Sequence, residues 1–204
     1  MTNYYSPKEM AQHFAFSAEQ KIQLPVVKFL IVAILGGAFI AFGGLLSVMV
    51  AGGIPEIGTE NPGLVKFIAG ALFPIGLIMV SMTDADLFTS DCAAFTFGLL
   101  GRNCNWGTFT KFLILSFLLN FIGAQLVAFV LTWNVGLLSH NPWQDYLHHY
   151  AEAKINQSFI TVLIKGIGAN WLVCMGMFMG YAAKDVAGKA IGIWIPVMLF
   201  VTLG

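Results

Sequence analysis

Residues 82–91 read Met-Thr-Asp-Ala-Asp-Leu-Phe-Thr-Ser-Asp, placing the carboxylates of Asp84, Asp86 and Asp91 beside three hydroxyls. Such groups can relay protons, bind a cation, or accept hydrogen bonds from unsatisfied backbone N–H groups at the start of a helix. We expect the third role, capping by Asp84, Asp86 and Asp91, because a helix N-terminus favours negative charge. The cluster lacks a metal-ligand set or a nucleophile–base pair, which argues against an enzyme. Its setting is the informative part, since apolar runs at residues 67–80 and 92–100 flank it. Irregular polar backbone survives at membrane depth only where protein or a water-filled cavity surrounds it. The stretch therefore reads as an interrupted crossing that lines a permeation path.

Other polar groups are few. Lys154 lies in a polar stretch, residues 134–156, where it could attract anions or simply be solvated. Lys165 falls about 12 Å into an apolar run at ~1.5 Å per residue, so it is either functional or matched by a buried or intersubunit partner. Asn120 and Gln125 are expected to bond between helices, at about 0.5–2 kcal/mol each. Asn170, in the middle of an apolar run, needs a partner too. His148 and His149 are adjacent and so do not share a helix face.

These groups must be positioned by membrane helices. The 204 residues are 58% apolar and 10% charged, with mean hydropathy +0.80, whereas a soluble domain is about a quarter charged. Nucleic-acid binding has no basic footprint, and no cofactor or metal is implied. The odd set of Cys92, Cys104 and Cys174 reads as packing residues. Residues 1–24 form an N-terminal amphipathic segment without the pattern of a signal peptide. Residues 25–204 form a transmembrane channel domain.

Span one covers 26–51, with Ala33, Gly37 and Ala41 at four-residue intervals, a spacing for close helix contact. Residues 52–63 read as a loop and 66–83 as the first piece of span two. The break covers 84–90, followed by a short second piece at 91–101. Span three covers 109–133, span four 157–183, and a fifth apolar segment starts at 190. With the N-terminus cytoplasmic, Lys8, Lys21, Lys28, Arg102, Lys111, Lys184 and Lys189 lie inside and only Lys66 and Lys154 outside, as the positive-inside rule requires. The fourth span then starts on the opposite side from the first, the arrangement of an inverted repeat with halves at 25–133 and 157–204. Residues 72–79 align with 194–201, each carrying a proline, and the counterpart break would begin near position 206. The chain is therefore read as stopping before its fifth helix is complete.

Asp-Leu-Phe-Thr-Ser at 86–90, Lys154 before a span, Gly-Ala-Asn-Trp-Leu-Val-Cys at 168–174 and Pro-Val-Met-Leu-Phe at 196–200 resemble the formate/nitrite transporter family in order and spacing. The resemblance implies an all-α membrane protein: an aquaporin-like inverted repeat with interrupted second and fifth helices, six helices when complete, assembled as a homopentamer in the plasma (inner) membrane. It implies a channel for small monovalent weak-acid anions, formate first, with nitrite or hydrosulfide as alternatives; a separate and more distant reading is an aquaporin-like facilitator of neutral solutes, against which stands the lack of an Asn-Pro-Ala motif at either break. By resemblance, Lys154 draws anions into the outer vestibule, Asn170 faces the pore opposite Thr89, Leu77, Leu87 and Val173 form the inner constriction, and Phe73 with Phe200 forms the outer one. The family's central histidine would fall after Gly204.

Overall fold

In the computed structural model, which describes residues 4–204, secondary structure is helical apart from an isolated bridge between Tyr4 and Ala183. Ser6 caps helix α1 (Pro7–Ile22) in a reciprocal capping box with Glu9, whose carboxylate the Ser6 hydroxyl and amide hold below the usual range. A break at Gln23–Pro25 turns the chain into α2 (Val26–Gly52), the first membrane helix.

Residues 52–63, expected as a loop, contain the short α3 (Pro55–Glu60) and the start of α4 (Pro62–Leu72). Each begins with proline at its first position, where the missing N–H is no loss. Pro74 separates α4 from α5 (Ile75–Thr83), and together they make one apolar crossing. Residues 84–87 are non-helical, and α6 (Phe88–Leu100) follows. Asn105 then caps α7 (Trp106–Val127), whose last turns widen into a π-helix at Ala128–Asn134.

The polar stretch 134–156, expected as a loop, holds α8 (Trp143–Ile155). Its anchor is Trp143, whose indole N–H donates to the Met49 carbonyl at 2.8 Å, at the far end of α2 from α1. Ser158 caps α9 (Phe159–Ala182) and Asp185 caps α10 (Val186–Leu203), which runs unbroken through Pro196.

Five helices among the described residues are long and apolar enough to cross a bilayer, and α2, α7 and α9 expose large apolar side chains outward, as a lipid-facing surface does. Their inner faces meet through small residues. A side chain at Gly37 would collide with the Asn120 backbone of α7, and one at Gly123 with the Ile34 carbonyl of α2. Gly180 and Gly192 play the same part between α9 and α10. Trp194 of α10 donates to the Ala71 carbonyl of α4 at 2.7 Å, tying the two halves together.

Candidate functional site

The interruption sits deep in the protein. Asp84 ends α5 in the left-handed region, φ 57°, and the Ala85 amide returns to the Val80 carbonyl at 3.1 Å. The Asp86 amide donates to the Val32 carbonyl of α2 at 3.0 Å, six residues or about 9 Å along that helix at ~1.5 Å per residue. Asn120 of α7 does the rest. Its Nδ2 donates to the carbonyls of Ala33 at 2.7 Å and Asp86 at 3.0 Å, and its Oδ1 accepts from the Phe88 amide at 2.8 Å. The irregular backbone is thus tied to α2 and α7 through the Asp86 and Phe88 amides and the Asp86 carbonyl, so protein surrounds it as the bilayer demands.

This arrangement corrects the capping role expected for Asp84, Asp86 and Asp91. Leu87 occupies the N-cap position of α6 with no side-chain cap, and the first amide goes to Asn120 instead. With its first N–H satisfied from another helix, α6 begins at Phe88, so the break is shorter than the expected 84–90. Asp84 is exposed and contributes its backbone as the C-cap of α5.

Asp86 and Asp91 are buried at 1% and 0% exposure and both pair with Lys21 of α1. Ser116 of α7 also donates to Asp86 Oδ2 at 3.0 Å. Burial works against the Lys21 ammonium, but Asp91 and Asp86 more than offset it and hold the group above the ordinary lysine range. Helix α1 is therefore a docked element as well as an amphipathic one: Met10, Phe14 and Ala18, spaced by four, are buried, and Ala18 meets Gly98 of α6. Phe14 stacks on Phe97 of α6 and Phe178 of α9.

Beyond the break, Leu77, Leu87 and Val173 are buried in one apolar cluster, with Phe73 and Phe200 packed against it. The two phenyl rings meet edge to face, centroids 5.6 Å apart. Thr89 is tied to α9 through its carbonyl, which accepts from Cys174 Sγ at 3.3 Å. Four residues earlier on α9, Asn170 has a buried Oδ1 with no hydrogen-bond partner among the described residues. An orphaned buried acceptor costs about 1–3 kcal/mol, so it marks a place where a donor is wanted.

Toward α8 lies an open cleft of about 530 Å³ whose lining includes Lys154, Gln157, Lys165, Leu172 and Phe200. Lys154 Nζ stands over the Tyr150 ring, 5.3 Å from its centroid. The structure thus brings together the five apolar residues named in sequence, and sets Lys154 in a cleft that shares Phe200 with them. No cluster of three or more His, Cys, Asp or Glu able to hold a metal occurs among the described residues.

The family described as formate/nitrite transporter matches residues 8–204. The chain belongs to that family. Among its relatives, an uncharacterized transporter, YrhG, of Bacillus subtilis (strain 168) is 37% identical over 208 residues, covering 98% of this chain and 74% of its own length. A probable formate transporter of Methanothermobacter thermautotrophicus is 34% identical, covering 100% of this chain and 79% of its own. Among solved structures, an FNT family ion channel superposes with TM-score 0.83 at 24% identity, covering 97% of this chain and 76% of that one. A pentameric formate channel with formate bound gives 0.73 at 22% identity, covering 87% and 69%. The fold is that of the formate/nitrite channels, and the protein is a multi-pass membrane transporter or channel rather than an enzyme.

Sequence reasoning missed Lys21 and Ser116 as partners of the broken helix. Lys21 reads as one more charge on an amphipathic surface, 70 residues from Asp91, and its only signal is that the buried carboxylates need a cation.

Proposed function

We propose that the protein conducts small monovalent weak-acid anions, formate first, across the plasma membrane as a homopentamer with one pore per subunit and a cytoplasmic N-terminus. The observation that carries this reading is Asn170 Oδ1, buried and unpartnered close to the apolar cluster that contains Leu77, Leu87 and Val173. The formate-related names of relatives and of a pentameric structural neighbour support it.

An anion stripped of water cannot cross apolar constrictions, because burying a lone carboxylate is far costlier than burying its neutral acid. In the proposed path Lys154 gathers anions in the outer cleft. An anion that takes a proton from water in the outer cleft passes the Phe73–Phe200 contact as the neutral acid, leaving hydroxide in bulk solution, and donates its O–H to Asn170 Oδ1 opposite Thr89. Leu77, Leu87 and Val173 then close the inner side. Two apolar gates around one polar station exclude hydrated ions while admitting a small neutral species. Leu87 is itself part of the break, so the interruption sets the inner gate. The Asn-Trp-Leu-Val-Cys run at 170–174 is also compatible with nitrite.

Flux in proteoliposomes with formate, nitrite, hydrosulfide and glycerol tests this reading. Formate passage several-fold above empty liposomes, reduced in Asn170→Leu and in Lys154→Ala, is expected. Glycerol passage without anion passage overturns it.

A further inference from the structure

We propose that the seam between α4 and α10, at Gly70 and Trp194, sets the aperture of the outer constriction and with it the size of weak acid that passes; this rests on the reading of the Phe73–Phe200 contact as a gate of an anion channel.

The second span is interrupted twice, and the first interruption lies at this gate. Pro74 has no N–H for the Gly70 carbonyl, so the helical ladder is cut between α4 and α5. Helix α4 is therefore an 11-residue rod whose direction α5 does not dictate, and Phe73 is its C-cap.

What holds the rod is a contact on each side. Toward α2, Ser47 Oγ donates to the Ala69 carbonyl at 2.8 Å, and a Cβ at Gly43 would stand 2.5 Å from the Phe73 carbonyl. Toward α10, Trp194 Nε1 donates to the Ala71 carbonyl at 2.7 Å. A Cβ at Gly70 would meet the Met198 carbonyl at 2.8 Å and run into the Thr202 hydroxyl, both closer than the ~3.5 Å of ordinary nonbonded contact. Three successive residues of α4, Ala69, Gly70 and Ala71, are thus seated on neighbouring helices just before Phe73.

The same stretch of α10 carries Phe200, with Met198 and Thr202 two residues to either side of it. The rings of Phe73 and Phe200 meet edge to face with centroids 5.6 Å apart, so seam and gate are one contact surface. Whatever moves α10 off Gly70 moves the two rings apart, because a close-packed interior has few voids to absorb the displacement. A pore discriminates by its width, and one extra methylene is worth about 10–200-fold to a tight apolar site. Acetate, one methylene larger than formate, is therefore the solute that reads this aperture.

Formate and acetate uptake into proteoliposomes, each corrected for protein-free liposomes, tests the seam as a ratio. Gly70→Ala is expected to raise the acetate-to-formate flux ratio about 5-fold, and Trp194→Phe, which keeps a ring and removes the N–H, about 2–3-fold, both within what one methylene commands. The ratio is indifferent to how much protein folds, since misfolded copies lower both fluxes alike. An unchanged ratio in both variants, with or without a loss of total flux, overturns the proposal and makes the two residues packing residues only. Phe200→Ala is the control on the underlying reading. A higher ratio there, with none in the seam variants, keeps the gate and removes the seam; no change in Phe200→Ala removes the gate and the seam's part in selectivity with it.

A second measurement does not use flux. Spin labels on Leu64→Cys of α4 and Leu199→Cys of α10, both exposed, report the separation of the two helices when the native cysteines are replaced by alanine and labelled protein is diluted in unlabelled. Gly70→Ala should lengthen that separation by about 1 Å, the shortfall of the Met198 contact. An unchanged separation overturns the seam. If the wild type carries no anion while the separation lengthens, the channel reading falls and the seam stands as what holds the two phenyl rings together.

Discussion

The two ends of the molecule use lysine in opposite ways. At the α1 end, Lys21 is shut between Asp86 and Asp91 with Ser116 completing the set. At the α8 end, Lys154 and Lys165 line an open cleft with no carboxylate paired to either among the described residues. The first arrangement fixes a broken helix; the second leaves positive charge available. A charge that is matched inside the fold holds structure, and a charge that is left unmatched is free to act on a ligand.

The sharpest way to break this contrast is Lys21→Met. It strands two buried carboxylates, and losing one partner of a buried ion pair costs about 3–5 kcal/mol. Thermal unfolding of the detergent-solubilised protein should show the loss, with Asp86→Asn plus Asp91→Asn recovering much of it. A neutral Lys21→Met would mean that the pair is not structural. Asn120→Leu is the next largest: it leaves the Phe88 amide and the Asp86 carbonyl unserved, at about 1–3 kcal/mol for each orphaned group, read as a lower melting temperature.

At the other end the expected stability effects are the smallest. Lys154→Gln should move stability by no more than about 0.5 kcal/mol, as surface changes do, while lowering outside-in formate flux several-fold. Salt sharpens the difference between the ends. Raising ionic strength from about 0.1 to 1 M shortens the screening length from ~10 to ~3 Å. Anion uptake through the open cleft should therefore weaken, while the melting temperature contributed by the buried Lys21 clasp should hold. Equal salt sensitivity of both properties would erase the distinction.

How far the sequence could be read depended on whether the information was local. The interruption near Asp84 was legible because carboxylates inside an apolar run have few explanations, and the spans followed from apolar length. Gly37 was legible as a contact because small residues at four-residue spacing have a use in membranes. The expected role of the aspartates was not borne out, because carboxylates before a helix look like caps whether or not they cap. The competing partner, Asn120, lies 32 residues after Phe88 and reads only as an interhelical amide. Helix α8 was hidden by its polarity, since its order comes from Trp143 and Tyr146 resting on Gly52 of α2 and on Gly53, its C-cap, a contact across some 90 residues.

The docking of α1 also bears on how the chain gets into the membrane. Helix α6 has 13 residues, too few to cross a bilayer unaided, and it brings Asp91 with it. Its resting place holds Lys21, which precedes Asp91 by 70 residues and so leaves the ribosome before it. The counter-charge is thus synthesised before the interrupted helix that needs it, so the order of synthesis matches the order in which the pieces are needed.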